Sequence, residues 1–271
     1  MAREDDRHVY LLGHDQCELE RLERQGRLFA EATDDGLRRA GLRPGMRVLD
    51  LGCGVGDVTL AAAGIVGPSG SVVGVDRSPD AVATANRRAK ALGVASARCV
   101  EAELSAVDPL GFDAIVGRFI LMHLPHPAAL LARLRRDASP GTLLAFLEMD
   151  LSSASITPEL PLFDAGMLAI ISVYRAGGVE PDMGSRLYTT FRAADLQPAL
   201  KGSCHVAGSG DPEAFNFLAR TVSSLAPAMR AAGVMWEGLE PDTYRDRLLA
   251  EAAKADHCVS YPRFVCAWAE T

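Results

Sequence analysis

The chain has 271 residues, 48% of them hydrophobic, and a formal net charge of −7 with an isoelectric point near 5.4. This length suits either one large α/β domain or two small domains. An acidic chain is a poor match for nucleic acid, whose partners normally present a basic surface. Its apolar runs stay well below the roughly 20 residues of a membrane helix. We therefore expect neither a nucleic-acid nor a membrane partner.

The first residues, MAREDDRHVY, are mostly charged and lack the apolar stretch of a signal peptide, so we expect a cytoplasmic protein. None of the six cysteines forms a C-x-x-C pair, and the six histidines are scattered among them. We therefore predict no metal site. The expected state is free, mostly buried thiols in a reducing compartment. The cysteines are Cys17, Cys53, Cys99, Cys204, Cys258 and Cys266.

Strands and helices alternate through the first half of the chain. Residues 7–42 look helical, Gly41 can end the last helix, and the apolar run 47–51 predicts a strand that is buried on both faces. Ser78 is a good N-cap for the helix that begins at Pro79. The further predicted elements are helices over 57–66, 79–92 and 128–137 and strands over 71–76, 97–101, 113–116 and 142–148. Such alternation is typical of a parallel sheet with helices on both faces.

The alternation stops after residue 150. Residues 151–195 predict loop and helix, 199–207 a strand, 212–232 and 243–255 helices, and 261–268 a last strand. Together these elements predict an α/β fold, a doubly wound and mostly parallel seven-stranded sheet with a helical cap. The predicted divisions are an N-terminal cap (1–43), a core (44–150), a helical cap insertion (151–198) and C-terminal strands with an inserted helical segment (199–271). The basic cluster Arg133, Arg135 and Arg136 is predicted to be a solvated helix face.

A glycine-rich loop follows the first strand. Gly52, Gly54 and Gly56 occupy every second position, where glycine lets the backbone approach a ligand closely. Asp76 ends the second strand, 20 residues after Gly56, and a carboxylate there can accept hydrogen bonds from a ribose diol. In an open α/β sheet, ligands bind beyond the carboxyl ends of the strands. The loop and the acid together leave two cofactor classes, NAD and S-adenosylmethionine.

The spacing of the glycines disfavours NAD. The dinucleotide fingerprint is G-x-G-x-x-G, whereas this loop reads G-x-G-x-G and has Asp57 at the position of the third glycine. An acid at a helix N-terminus would also repel a pyrophosphate group.

Four segments resemble the motifs of class I S-adenosylmethionine-dependent methyltransferases. They are 48–56 (VLDLGCGVG), 74–78 (GVDRS), 100–104 (VEAEL), and 112–116 (FDAIV) with the stretch that leads to HLPHP at 123–127. Residues 10–29 also resemble the N-terminal cap of the family's small-molecule members. The resemblance covers about 44–150 and implies a Rossmann-like fold, S-adenosylmethionine as the cofactor, and a small-molecule acceptor, for which a natural product is one option.

The resemblance also implies which residues contact the cofactor. By position, the methionine part of the cofactor would be held by Asp50 and by the backbone of Gly52, Cys53, Gly54 and Gly56. Asp76 would bind the ribose hydroxyls, Arg77 would lie along the adenine face, and Glu103 and Leu104 would contact the adenine edge. Arg118 and Phe119 would line the pocket, and Tyr10 and Gln25 would close it. Glu103 is equally consistent with a solvated loop acid. Tyr10 and Gln25 fit packing or solvated positions unless the cap folds over the site.

His123 is the first candidate for a general base, because it follows the fourth strand and its ordinary pKa is near neutral. His205 is second, and a structural role is the competing interpretation for both, whereas His126 is predicted to be a solvated turn residue. Apolar residues of the cap segments, either core or pocket lining, are Phe163, Met167, Tyr174, Met235 and Trp236.

Three functions remain open at this point. The favoured hypothesis is methyl transfer to oxygen or nitrogen of a small molecule, which needs alignment and water exclusion more than any particular side chain. For the same reason the sequence also allows a protein of this fold that binds the cofactor and catalyses a cyclisation or decarboxylation. An NAD-dependent oxidoreductase is third. The oligomeric state is left open, a homodimer being one option.

Overall fold

A computed structural model describes residues 26–208, 210–211, 213–234 and 239–271. Its centre is a seven-stranded sheet in the order β3-β2-β1-β4-β5-β10-β7. The strands from β3 to β5 are parallel, and β10 is antiparallel to both of its neighbours. The strands of this sheet are β1 (Arg47–Leu51), β2 (Ser71–Asp76), β3 (Ala97–Glu101), β4 (Ala114–Arg118), β5 (Leu143–Asp150), β7 (Ala199–Ser203) and β10 (Arg263–Glu270). The predicted α/β class and the mostly parallel seven-stranded sheet are confirmed.

Helices cover both sides of this sheet, and a small second sheet lies beyond it. The helices are α1 (Ala30–Ala40), α2 (Asp57–Val66), α3 (Pro79–Ala91), α4 (Pro127–Asp137), α5 (Pro161–Ala176), α6 (Met183–Ala193), α7 (Glu213–Ala231) and α8 (Pro241–Ala252). Three-residue 3₁₀ turns occur at Leu104–Ala106, Leu121–His123 and Leu151–Ser153. The second sheet is antiparallel, in the order β6-β9-β8, with β6 (Ser155–Thr157), β8 (Val206–Gly208) and β9 (Cys258–Ser260). In the described part of the chain, no helix has the length and hydropathy to cross a membrane.

Local sequence signals place most elements of the first half. The predicted bounds of α2, β2 and β3 agree with those of the structure. Ser78 caps α3 as predicted, because its Oγ accepts a hydrogen bond from the Ala81 N–H at 3.3 Å. Strands β4 and β5 each run two residues further than predicted. The predicted helices before residue 26 lie outside the described residues, and the predicted division boundaries stay predictions.

The single strand predicted over 199–207 is wrong. The chain turns at Cys204 and His205, so that β7 joins the main sheet and β8 the small one. The last strand begins at Arg263, two residues later than predicted. The reason is tertiary, since the Tyr261 N–H donates to the His205 carbonyl and ties this stretch to the second sheet.

The helices after β5 pack on one another through a buried tyrosine. The side chain of Tyr244 on α8 is fully buried, and its hydroxyl donates a hydrogen bond to the Leu162 carbonyl on α5 at 3.0 Å. Gly166 permits this approach, because a Cβ there would lie 2.0 Å from the Tyr244 hydroxyl. α7 contacts both α5 and α8. These helices therefore form an apolar layer beside the carboxyl end of β5.

Candidate active site

A cavity of about 780 Å³ opens at the carboxyl ends of the parallel strands, a size typical of small-molecule sites. Its walls come from the loop after β1, the end of β2, the segment after β3, the segment after β4 and the start of α4. Ten predicted site residues line it, namely Gly52, Cys53, Gly54, Asp76, Arg77, Glu103, Leu104, Arg118, Phe119 and His123. Asp50 and Gly56 do not line it, and Tyr10 and Gln25 lie outside the described residues.

Asp76 organises the glycine loop. Its Oδ2 accepts the Gly54 N–H and its Oδ1 the Ser78 N–H, each at 2.9 Å. The three loop glycines have φ values of 68°, 51° and 88°, which L side chains rarely adopt. The carboxylate thus fixes both the loop after β1 and the start of α3. Asp76 and the N-cap Ser78 therefore both hold the start of α3.

Asp50 joins β1 to α2 and does not line the cavity, in contrast to the predicted contact with the ligand. Its carboxyl is fully buried, and its Oδ2 accepts the Thr59 hydroxyl of α2 at 2.6 Å. Burial raises the pKa of Asp50 to about 7, against the opposing effect of the Thr59 hydrogen bond. The carboxyl lies on a central strand and does not line the cavity. Because a buried, unpaired charge is costly, its raised pKa favours the neutral form.

Arg118 joins the cavity to α1 and α2. Its side chain is 8% exposed, and it donates to the Thr33 hydroxyl at 2.9 Å and to Asp57 Oδ2 at 3.4 Å. The other Asp57 oxygen accepts from Arg88 at 2.7 Å. Two guanidinium groups thus share one carboxylate, which leaves positive charge for an anionic ligand group. Asp57 is neutralised here, so the repulsion expected against a pyrophosphate is offset, and the case against NAD depends on the glycine spacing.

The turn after β4 is held by a buried glutamate that the sequence analysis missed. Glu148 on β5 accepts the N–H groups of Ile120 at 3.0 Å and Leu121 at 2.7 Å through the same oxygen. Burial raises the pKa of Glu148 to about 8, and these hydrogen bonds oppose the shift. Phe119 adopts a φ of 55° at this turn. The turn presents Phe119 and His123 to the cavity. No local pattern marks Glu148, because it lies inside a strand with eight buried residues.

The other candidate histidines fall in different places. His126 is exposed, as predicted for a solvated turn residue, and it also lies at the edge of the cavity. His205 does not line the cavity, and its ring lies 5.1 Å from that of Tyr261. His205 is therefore no candidate for the general base.

The far wall of the cavity is apolar. Met122, Met149, Tyr174 and Val179 form it. Met149 and Tyr174 also line a second, smaller cavity of about 30 Å³ between α5, α7 and β9. The remaining lining of that cavity is Leu151, Ala154, Phe163, Met167, Ile170, Phe217, Leu218, Thr221, Val259, Tyr261 and Pro262, none of which is charged. Phe163, Met167 and Tyr174 thus line a pocket, and Met235 and Trp236 lie outside the described residues.

Residues 42–171 match the family described as "Methyltransferase domain". The chain is 37% identical over 112 residues to 2-phytyl-1,4-naphtoquinone methyltransferase of Synechococcus elongatus, covering 40% of this chain and 47% of that protein. It is 39% identical over 111 residues to trans-aconitate 2-methyltransferase of Methylobacterium nodulans, covering 41% of each. The match thus spans less than half the length of these curated relatives.

A solved structure supports the fold. A S-adenosylmethionine-dependent methyltransferase from Aquifex aeolicus superposes with a TM-score of 0.53 at 22% identity, over 69% of this chain and 91% of that one. The strand order, the glycine loop and Asp76 at the end of β2 agree with this relationship. Residues 42–171 thus form a methyltransferase domain with the fold of the class I S-adenosylmethionine-dependent methyltransferases, and S-adenosylmethionine is the cofactor of that class.

Proposed function

We propose that this protein transfers the methyl group of S-adenosylmethionine to oxygen or nitrogen of a small molecule that has an apolar body. One observation carries the proposal. A single cavity joins the glycine loop to an apolar wall, and Met149 and Tyr174 of that wall also line the second cavity. Cofactor and acceptor can therefore meet in one cavity.

The described residues fit the cofactor. The Asp76 carboxylate at the edge of the cavity can accept the ribose hydroxyls while it holds Gly54. Arg118 has positive charge to offer the methionine carboxylate, because it shares Asp57 with Arg88. Glu103 and Leu104 line the same cavity, which supports their assignment to the adenine edge. When bound, S-adenosylmethionine supplies an activated methyl group.

In this reaction the protein aligns the acceptor atom with the methyl group, excludes water and provides a base for one proton. In an in-line transfer the acceptor atom would form its bond to the methyl carbon as the methyl–sulfur bond breaks, and the electron pair of that bond would go to sulfur. For a hydroxyl acceptor, we propose that the neutral imidazole of His123 accepts the proton of the hydroxyl group. His123 lines the cavity at the turn that Glu148 holds. An amine acceptor that is neutral when it attacks needs no such base.

The apolar wall favours one acceptor class. By their names, the two relatives act on a phytyl naphthoquinone and on trans-aconitate. No arginine or lysine lies among the described residues of the second cavity. Against the wall formed by Met122, Met149, Tyr174 and Val179, an apolar ring or chain would be stabilised by about 25 cal/mol per Å² removed from water, whereas a carboxylate at that wall would lose hydration without gaining a cation. The apolar wall thus suits a quinone-like acceptor better than an organic acid.

The test is transfer of labelled methyl from S-adenosylmethionine to a panel of hydroxylated naphthalenes, aromatic amines, small organic acids, bulk RNA and bulk protein. We expect label in an aromatic acceptor. Label in RNA or protein alone would overturn the small-molecule assignment. Conversion of an acceptor without consumption of S-adenosylmethionine would favour a cyclisation or decarboxylation instead.

The base is tested with His123→Gln. Removing a general base typically lowers rates by 10²- to 10⁴-fold, so we expect kcat for a hydroxyl acceptor to fall at least about 100-fold. kcat for an aromatic amine should change little. An equal loss with both acceptors would assign His123 a structural role.

A further inference from the structure

The segment beyond β3 is held in place from another helix. We propose that Arg133 on α4 is a positioning residue for the adenine-binding segment 103–107, which deepens the proposed function. Its Nη2 donates to the Leu104 carbonyl at 2.7 Å, and its Nη1 donates to the Val107 carbonyl at 3.0 Å. Arg133 also lines the cavity, as Leu104 does. The predicted solvated helix face is therefore wrong for this arginine.

Segment 103–107 needs such a clamp because it has little packing of its own. None of the residues in its 3₁₀ turn is buried, and Glu103 is exposed. Among the backbone bonds at this segment, the Ala102 N–H donates to the Asp76 carbonyl and the Ala106 N–H to the Glu103 carbonyl. A segment with few buried contacts opens at low free-energy cost. The two bonds from Arg133 therefore fix a wall that would otherwise be mobile.

The geometry explains why arginine stands at this position. A planar guanidinium can donate to two carbonyl oxygens at once, whereas a lysine ammonium acts as a point charge. Because the peptide group is planar, engaging the Leu104 carbonyl also fixes the direction of the Ser105 N–H. Arg133 thereby orders the backbone on the adenine side, while Arg118 acts on the methionine side.

The chain contains a matched control on the same helix. Arg136 lies three residues further along α4, its side chain is 71% exposed, and it pairs with the neighbouring Asp137. Arg133→Met keeps the apolar stem and removes the guanidinium, and Arg136→Met makes the same change away from the cavity. Arg133→Lys keeps the positive charge and removes the planar group that can donate to two carbonyl oxygens at once.

The experiment is calorimetric titration of the full chain with S-adenosylhomocysteine and with 5′-methylthioadenosine, which lacks the amino-acid end. We expect Arg133→Met to weaken both ligands by a similar factor of about 10, with Arg133→Lys intermediate and Arg136→Met unchanged. With an active acceptor, KM for S-adenosylmethionine should rise while kcat stays constant.

Unchanged affinities in Arg133→Met would overturn the inference, as would weakening of S-adenosylhomocysteine alone. If Arg133→Met unfolds, Arg133→Lys decides: wild-type affinity for both ligands overturns the clamp, and a shared loss supports it. Wild-type protein that binds neither ligand would overturn the cofactor site and this inference together. Adenosyl binding without methyl transfer would overturn the proposed function and leave the role of Arg133 supported.

Discussion

The two sides of the cavity are built in different ways. On the cofactor side, hydrogen bonds join charged groups to the backbone, as Asp76 does with Gly54 and Arg133 with Leu104. On the acceptor side, the wall is apolar, and α5 and α8 are joined by the buried hydroxyl of Tyr244. Directional bonds specify one geometry, whereas apolar packing tolerates changes of shape that conserve volume. Small substitutions should therefore have larger effects on stability and ligand binding on the cofactor side than on the acceptor side.

The largest effect is expected from a methyl group added to the glycine loop. At Gly56, φ is 88° and a Cβ would lie 2.9 Å from the Ala85 Cβ. Gly56→Ala should lower the free energy of unfolding by about 3 kcal/mol, through backbone strain and overpacking together. Gly93→Ala is the control, because its φ of 68° is similar and no atom lies within 4 Å of its Cβ. It should cost about 1 kcal/mol. Urea unfolding that gave equal losses would contradict the tight contact.

The next largest effect concerns the carboxylate that fixes this loop. Asp76→Ala should weaken binding of S-adenosylhomocysteine about 100-fold, or about 2.7 kcal/mol, because two backbone N–H groups and the ribose lose one acceptor. Asp80→Ala removes an exposed acid from the first turn of α3 and should leave affinity unchanged. Calorimetric titration of both variants checks this, and affinity indifferent to Asp76 would mean that the glycine loop serves another ligand.

A smaller effect is expected on the acceptor side. Met167→Trp should overfill the second cavity and displace Met149 and Tyr174 at the apolar wall, which should raise KM for an apolar acceptor about 10-fold, without changing KM for S-adenosylmethionine. Leu168→Trp is the control, because Leu168 is the next residue of α5 and is 55% exposed. Steady-state kinetics separate the two sides. Equal KM values in both variants would place the acceptor elsewhere.

The last comparison concerns the pH dependence of stability. Because the pKa of Glu148 is raised to about 8 and that of Asp50 to about 7, the folded protein holds protons that the unfolded chain has released. The free energy of unfolding should therefore fall as pH rises from about 4 to 8, by at most about 1.4 kcal/mol per pH unit for each group.

Glu148→Gln should make the decline between pH 7 and 8 shallower than in the wild type, since Asp50 is already about half ionised at pH 7 and contributes little of the slope as pH approaches 8. Glu101→Gln, at an exposed position at the end of β3, should keep the wild-type slope. Denaturant titrations at several pH values measure it. A slope in Glu148→Gln equal to that of the wild type would show that Glu148 is ionised in the folded protein.

The cofactor side was largely predictable because its signals are local. Gly52, Gly54 and Asp76 lie at strand ends that follow from alternation in the sequence, and the structure brings them to one cavity. Arg133 and Glu148 were missed for a different reason. Their partners lie 26 to 29 residues away for Arg133 and 27 to 28 residues away for Glu148, so no local pattern connects them.

The sequence by itself determined the order of strands and helices in the first half, the glycine loop and the acid that faces it, because each depends on spacing within a few residues. The tertiary structure decided three other matters. It split 199–207 between two sheets, it paired Asp50 with Thr59 of α2 away from the cavity, and it brought Met149 together with Tyr174 at the apolar wall. Each of these depends on contacts between distant segments, whose free energy comes from burial and pairing that no local sequence pattern records.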